Sequence, residues 1–324
     1  MTETKKIVPA AKPAGRGAGG EPRLSGSAGN PPPVRYKNQK LTETGSLTVI
    51  HAVLIVLALI WLYPILWIVL NAFRVEYNDQ GDLIGIVVSH YFPKSMGFEN
   101  FSRLFSSTSF GKWVRNTFIV AVFSTTLSTM LTLSTSYVMS KMRFKMRKPV
   151  MNIALILGLF PGFMSIIAIY YILKALGLTQ SLAALVLVYS ASAGMSFYVG
   201  KGFFDTIPDS LIEAAKIDGA AQARIFFSVV LPLSKPIIIY TALIAFMVPW
   251  MDFILARVIL GEQNVHLHTT AVGLYYMLYG QRVDSNVFTL FSAGCLLIAI
   301  PIVALFLSMQ KFYVEGITAG SVKS

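Results

Sequence analysis

The chain has 324 residues, of which 55% are hydrophobic and only 13% charged, with a mean hydropathy of +0.64. Soluble domains carry about a quarter charged residues, so the composition excludes a large soluble domain and points to an all-α polytopic membrane protein. The formal charge of +12 does not indicate nucleic acid. It collects before the first apolar run and in one loop, the positive-inside pattern, with anionic lipid as its counter-ion.

Residues 1–45 are rich in Pro, Gly, Ala, Lys and Arg, have almost nothing to bury, and read as a disordered basic cytoplasmic tail. Residues 46–324 read as one transmembrane domain with six spans, at 47–72, 114–138, 150–173, 182–203, 237–260 and 288–309. Each meets the roughly 20 residues needed to cross about 30 Å of hydrocarbon. An even count with the basic tail inside puts both termini in the cytoplasm. Residues 74–113 then lie outside, with an amphipathic helix over 98–105 and Trp113 and Arg115 as interfacial anchors.

Span two carries Thr125, Ser128, Thr129, Thr132 and Ser136 at helical spacing, a stripe that suits close helix packing better than a wet path. The basic run 141–148 follows on the inner side. Gly158 and Gly162 flank Pro161, which predicts a kink in span three, and Pro64, Pro249 and Pro301 predict bends in spans one, five and six.

Residues 204–236 form a polar island between two apolar runs, read as two short helices. Pro208 suits a first turn, Ser210 and Glu213 have capping-box spacing, and Gly219 supplies a positive-φ hinge. A second helix over 220–230 is expected to stop at Pro232, with Pro236 opening the next span. Leu211, Ala214 and Ala215 share a small-residue face, which fits either docking into a partner's cleft or an ordinary capped surface loop.

Asp252 is the one acid well inside an apolar run, at an insertion cost of about 2.5–3.5 kcal/mol. Two readings are open. With the ring of Trp250 it offers a stacking face and an acceptor, as a path for sugar hydroxyls needs. Alternatively it pairs with Arg257 or caps a helix and meets no substrate. In the outer loop 261–287, His266 and His268 alone are a weak metal signal, and the tyrosines from Tyr275 suit contact with another protein. Cys295, the lone cysteine, permits no intrachain disulfide.

The chain has no G-x-x-x-x-G-K followed by Ser or Thr, no Ser/His/Asp set and no intramembrane carboxylate pair. It is therefore read as a transport component, not an enzyme, and uphill movement would draw its energy from a partner. A proton-coupled sugar carrier is the rival from another class. It would need a relay of intramembrane acids, for which only Asp252 qualifies.

Glu213-Ala214-Ala215, Gly219 and Leu231-Pro232 at this spacing resemble the EAA loop of bacterial ABC-importer permeases. The runs LeuPheProGlyPheMetSer from Leu159 and PheMetValProTrpMetAspPhe from Phe246, and residues 310–323, are similar to those of the MalG-type permeases of maltose and maltodextrin importers. The likeness extends from Tyr63 to the C terminus. It implies the type I ABC-importer permease fold in the bacterial inner membrane. Beside this chain would stand a MalF-type permease, beneath it two ATP-binding subunits carrying ATP and Mg, and outside it a sugar-binding protein, with no cofactor on this chain. It implies maltose or malto-oligosaccharides as cargo, with another oligosaccharide such as a galacto-oligosaccharide as the alternative. By the same resemblance Glu213, Ala214, Ala215, Asp218, Gly219, Leu231 and Pro232 form the coupling contact. Thr318, Ala319 and Gly320 form a tail contact to the ATPase, and the loop 261–287 faces the binding protein.

Overall fold

A computed structural model describes residues 39–77, 83, 90–159, 162–191, 193–280 and 287–318, the side chains of 39–46, 192–196 and 311–318 excepted. The chain forms two units, Met1–Ala58 and Leu59–Ser324. Helix α1 covers Gln39–Phe73, so helix begins ahead of the expected boundary at 46; residues 1–38 lie outside the described residues. Its stretch Leu47–Phe73 is long and apolar enough to span a membrane, and every side chain from Leu47 to Leu66 is exposed. A helix that is apolar all round belongs in lipid or against another protein.

The remaining helices follow in order: α2 (Glu99–Ser107), α3 (Phe110–Lys141), α4 (Arg147–Gly158), α5 (Gly162–Ala175), α6 (Leu182–Ala191), α7 (Ala193–Asp205), α8 (Asp209–Ile217), α9 (Gln222–Ile225), α10 (Leu231–Leu233), α11 (Lys235–Met251), α12 (Ile254–Leu260), α13 (Thr270–Tyr279) and α14 (Val287–Thr318). Against the six expected spans, the described residues hold three helices long and apolar enough to cross a membrane, or up to five if each bent helix pair is one span, and the fourth expected span falls on shorter helices. α1, α3 and α14 are single helices of spanning length, and the assignment runs through Pro64 and Pro301 without a break. Span three divides into α4 and α5; Phe160 and Pro161, where the kink was expected, lie outside the described residues. Span four is covered by α6 and α7, and Ser192 between them lies outside the described residues. Span five breaks at Asp252 and Phe253, just after Pro249, where a bend was expected.

α3 is the central post, packed along α7, α11 and α6. Three clusters stack beside it. Ala72, Leu104, Phe110, Trp113, Leu274 and Leu290 form the outer one, Val120, Leu185, Tyr189, Ala256 and Ile259 the middle one, and Leu133, Tyr137, Phe204, Ile212 and Ile225 the inner one. Trp113 is 4% exposed, so it is not the lipid-interface anchor the sequence suggested. Its indole lies flat against Gly273, where an added Cβ would sit 2.2 Å from the ring. Its Nε1 donates to Val265 O at 2.8 Å. The hydroxyl stripe of α3 serves packing on one side. Ser128, Thr132 and Ser136 are buried, and Ser136 donates to Phe197 O across to α7 at 3.0 Å.

The first outer segment folds back on the end of α1. Asn100 donates to Ala72 O and Arg74 O at 3.1 and 2.8 Å. Arg74 is fully buried; its Nη2 donates to His90 O and Tyr91 O at 3.2 and 2.9 Å, and its Nη1 lies 3.7 Å from Glu76. Burial pushes the Glu76 carboxyl up, but the Lys94 N–H, His90 and Arg74 outweigh it and hold the group below its ordinary value. A depressed carboxylate stabilises above its unfolded pKa, and that contribution is lost as pH falls through the folded one. Arg74→Met is expected to lower the stability of the detergent-purified protein by about 3 kcal/mol, since it strands a buried carboxylate. Thermal unfolding checks it; an unchanged midpoint at neutral pH would show that His90 and Lys94 suffice.

Candidate functional site

The polar island folds as a hairpin at the inner end of the bundle. α8 begins after Pro208, which takes the cap position with ψ of 132°. The expected capping box does not form: no side chain caps this helix. Asp209, the first helical residue, is bonded to Lys141 instead. At the other end Gly219 has φ of +81°. Gly219 N donates to Lys216 O and Ala220 N to Ala215 O, both at 3.0 Å. That pair of bonds is a Schellman stop, and it requires a residue at ease with positive φ.

One face of the hairpin is buried and the other bare. Ile212, 4% exposed, anchors α8 in the inner cluster with Ala215 and Ala220 at its rim. Glu213, Ala214, Lys216, Ile217, Asp218 and Gly219 are exposed. Ile217 is 86% exposed, an apolar knob beside the glycine turn. The resemblance passed over it, although an isoleucine out of phase with Ile212 in a polar loop is a signal for a contact.

The second arm differs from expectation. The helix continues past Pro232 and does not stop there. Between α9 and α10, residues Phe226–Val230 form a π turn, with Leu231 N donating to Phe226 O. The wider turn shifts the bonding register where Pro232 has no N–H to give. The break falls at Ser234, where the chain turns by 86° into α11 and Pro236 occupies the first turn. Leu231 is half-buried against the inner cluster and Pro232 is exposed.

Between α11 and α12, Asp252 caps the helix that follows it. Its Oδ1 accepts from Leu255 N at 3.3 Å and its Oδ2 from Ala256 N at 3.1 Å, and Tyr189 Oη donates to Oδ2 at 2.6 Å. It does not pair with Arg257. That guanidinium bonds Glu262 and Tyr276 at 3.0 Å each and stacks over the rings of Tyr275 and Tyr276. Trp250 is half-buried, and its Nε1 is enclosed without an acceptor, as are the hydroxyls of Thr125 and Thr129 on α3. The two threonines line a cavity of about 370 Å³ together with Phe226, Phe227, Leu231 and Ile238.

On the outer side the loop after α12 is pinned to the head of α3. Asn116 donates to His266 O and His268 O at 2.7 and 3.1 Å. His268 is buried and donates through Nε2 to Gly261 O at 3.2 Å; burial holds its imidazole below the ordinary pKa. Among the described residues no cluster of His, Cys, Asp or Glu is fit to hold a metal ion. Helix α14 ends at Thr318, and Ala319 and Gly320 lie outside the described residues.

Residues 132–318 match the family of the binding-protein-dependent transport system inner membrane component. The chain is 35% identical to the galacto-oligosaccharide transport system permease GanQ of Bacillus subtilis, over 84% of this chain and 94% of that one. It is 34% identical to the maltodextrin transport system permease MalD of Streptococcus pneumoniae, over 86% and 96%. It is 30% identical to the maltose/maltodextrin permease MalG of Vibrio parahaemolyticus, over 82% and 92%. The fold is shared with a chain of a bacterial ABC transporter that imports alginate, at a TM-score of 0.71 and 22% identity, covering 84% of this chain and 98% of that one. Together with apolar helices of spanning length, these matches place the chain in that family, as an inner-membrane permease subunit of an ABC importer that works with a binding protein and leaves ATP hydrolysis to a separate subunit.

Proposed function

We propose that this permease imports maltose and malto-oligosaccharides by alternating access, driven by ATP hydrolysed beneath it. The cargo follows from the maltodextrin permeases among its relatives. Galacto-oligosaccharides are the second reading, favoured by the likeness to GanQ. The subunit stands in the cell membrane with both termini in the cytoplasm. It pairs with a MalF-type permease, rests on two ATP-binding subunits, and receives sugar from an extracytoplasmic binding protein at the loop 261–287, of which 281–286 lie outside the described residues.

The observation that carries the reading is the exposed hairpin. A nine-residue helix, stopped by a glycine at positive φ and fixed by one buried isoleucine, leaves Glu213, Ala214, Asp218 and Gly219 bare beside an apolar knob. That surface seats in a cleft of the ATP-binding subunit, with Ala215 at its edge and Leu231 and Pro232 bracing the second arm. Thr318, Ala319 and Gly320 add a tail contact. On the substrate path we place Trp250, whose enclosed indole N–H lacks an acceptor, and beside it Asp252, which shapes the path through its bonds to α12 and Tyr189. Uptake and growth of a deletion strain on maltotriose, maltose, galactobiose and raffinose test the cargo. Loss on the first two supports the first reading, and loss confined to galactobiose selects the second. Growth unaffected on all four overturns both.

A further inference from the structure

The last turn of α3 makes three separate connections to the docking hairpin. Tyr137 Oη donates to Gln222 Oε1 at 3.0 Å, and Ser140 Oγ donates to Asp205 Oδ1 at 2.6 Å. Lys141 Nζ donates to Ile207 O at 2.6 Å and to Asp209 Oδ1 at 2.7 Å. The three residues stand at i, i+3 and i+4, on one face of the helix. Between them they hold the approach to α8 and the start of α9, so a helix that is not the hairpin's neighbour in sequence grips both of its arms.

Lys141 makes two of these contacts. Its side chain is 6% exposed while that of its partner Asp209 is 69% exposed, so the ammonium is largely withdrawn from water and is tolerated there because it is paired and hydrogen-bonded. Arg143, Lys145 and Lys148 in the same basic run are exposed. The charge rule for topology accounts for those three, but not for sinking Lys141 between a carbonyl and a carboxylate. Asp209 is held below the usual carboxylate range by its bond to Lys141. As the first residue of α8 it also faces the helix N-terminus, so the pair fixes where that helix starts.

The helix that follows the hairpin in sequence is a poor transmitter. α11 leaves the hairpin through an 86° turn and breaks again at Asp252 and Phe253, so along that arm the chain is twice bent. α3 runs unbroken over Phe110–Lys141 with no proline. Its far end is bonded to the outer loop through Trp113 and Asn116. One stiff helix therefore touches the inner hairpin at one end and the outer loop at the other.

We propose that Lys141 is a positioning residue that locks the docking hairpin to α3, so that hairpin movement is passed to the outer loop by α3 as a rigid lever. The inference rests on the docking reading of the hairpin, and its test separates the two. The assembled complex, in proteoliposomes with its partner permease, ATP-binding subunits and binding protein, is given maltotriose, or whichever sugar of the growth panel supports uptake. A benzophenone probe at Ile217 reports docking. Lys141→Met is expected to keep probe capture of the ATP-binding subunit. Sugar imported per ATP hydrolysed falls about tenfold, within the range for residues that carry coupling, and Lys141→Arg restores most of it. Capture retained with an unchanged ratio overturns the lever alone. A loss of folded complex with a normal ratio in what remains overturns it too, by reducing Lys141 to a structural role. No capture at Ile217 even in the wild type overturns the docking reading and the lever together.

Discussion

Gly219→Pro is expected to insert and assemble normally yet to import sugar at less than about a tenth of the wild-type rate, a loss of at least about 1.4 kcal/mol in coupling. The position requires φ of +81°, while proline is fixed near −65° and has no N–H. The bond from Gly219 N to Lys216 O disappears, and Ala220 N swings away from Ala215 O. The membrane-embedded helices are untouched, so insertion survives while the docking turn is lost. A graded series isolates the cause. Nothing lies within 4 Å of a Cβ at this position, so Gly219→Ala suffers backbone strain alone, about 1–2 kcal/mol. Gly219→Asn, whose side chain tolerates positive φ, is expected to fall nearest the wild type. Import per ATP in proteoliposomes, with the amount of complex measured alongside, gives the order Asn, Ala, Pro. If Asn proves worse than Ala, shape at the docking face matters more than the turn, and the conformational account fails.

Asp252→Ala carries the second large effect, on folding. It removes the acceptors for two backbone N–H groups of α12 and for the Tyr189 hydroxyl. Losing a cap costs about 1 kcal/mol and an unsatisfied buried donor about 1–3 kcal/mol. We expect a clear fall in folded complex and in its thermal midpoint. Asp252→Asn keeps a carbonyl oxygen for the helix, and the Tyr189 hydroxyl can turn to accept from the new amide. Its folded yield and its uptake per folded complex are expected near wild type. Trp250→Phe, which deletes the enclosed indole N–H, is expected to weaken uptake several-fold with assembly intact. Should Asp252→Asn depress uptake per folded complex instead, the carboxylate charge itself meets the sugar.

The residues differ in how far they could be read in advance. Gly219 was legible because a helix stop is local: the bonds that need it end on the carbonyls of Lys216 and Ala215, three and four residues before it. Ser210 and Glu213 had capping-box spacing, yet the helix starts at Asp209 with Pro208 in the cap position, so Ser210 falls inside it and no box forms. Trp113 had the look of an interfacial anchor because an aromatic at a span end usually is one. Gly273, far along the chain, offered it a flat seat in the core. The break in span five was legible as a bend at Pro249, but its place at Asp252 and Phe253 was not, since the residues on either side are apolar. The acceptor that makes it tolerable is the side chain of Asp252.

Sequence alone settled the class of protein, its apolar helical runs and the positive-φ turn of its polar loop. Each follows from hydropathy, charge placement or bonding within a few residues. The tertiary structure decided which buried polar groups are satisfied and by whom: Asp252 by Tyr189 and its own helix, Lys141 by a carbonyl and a carboxylate 66 and 68 residues on. A polar group inside a membrane protein must find a partner, but the need is local while the partner is chosen by which helices meet.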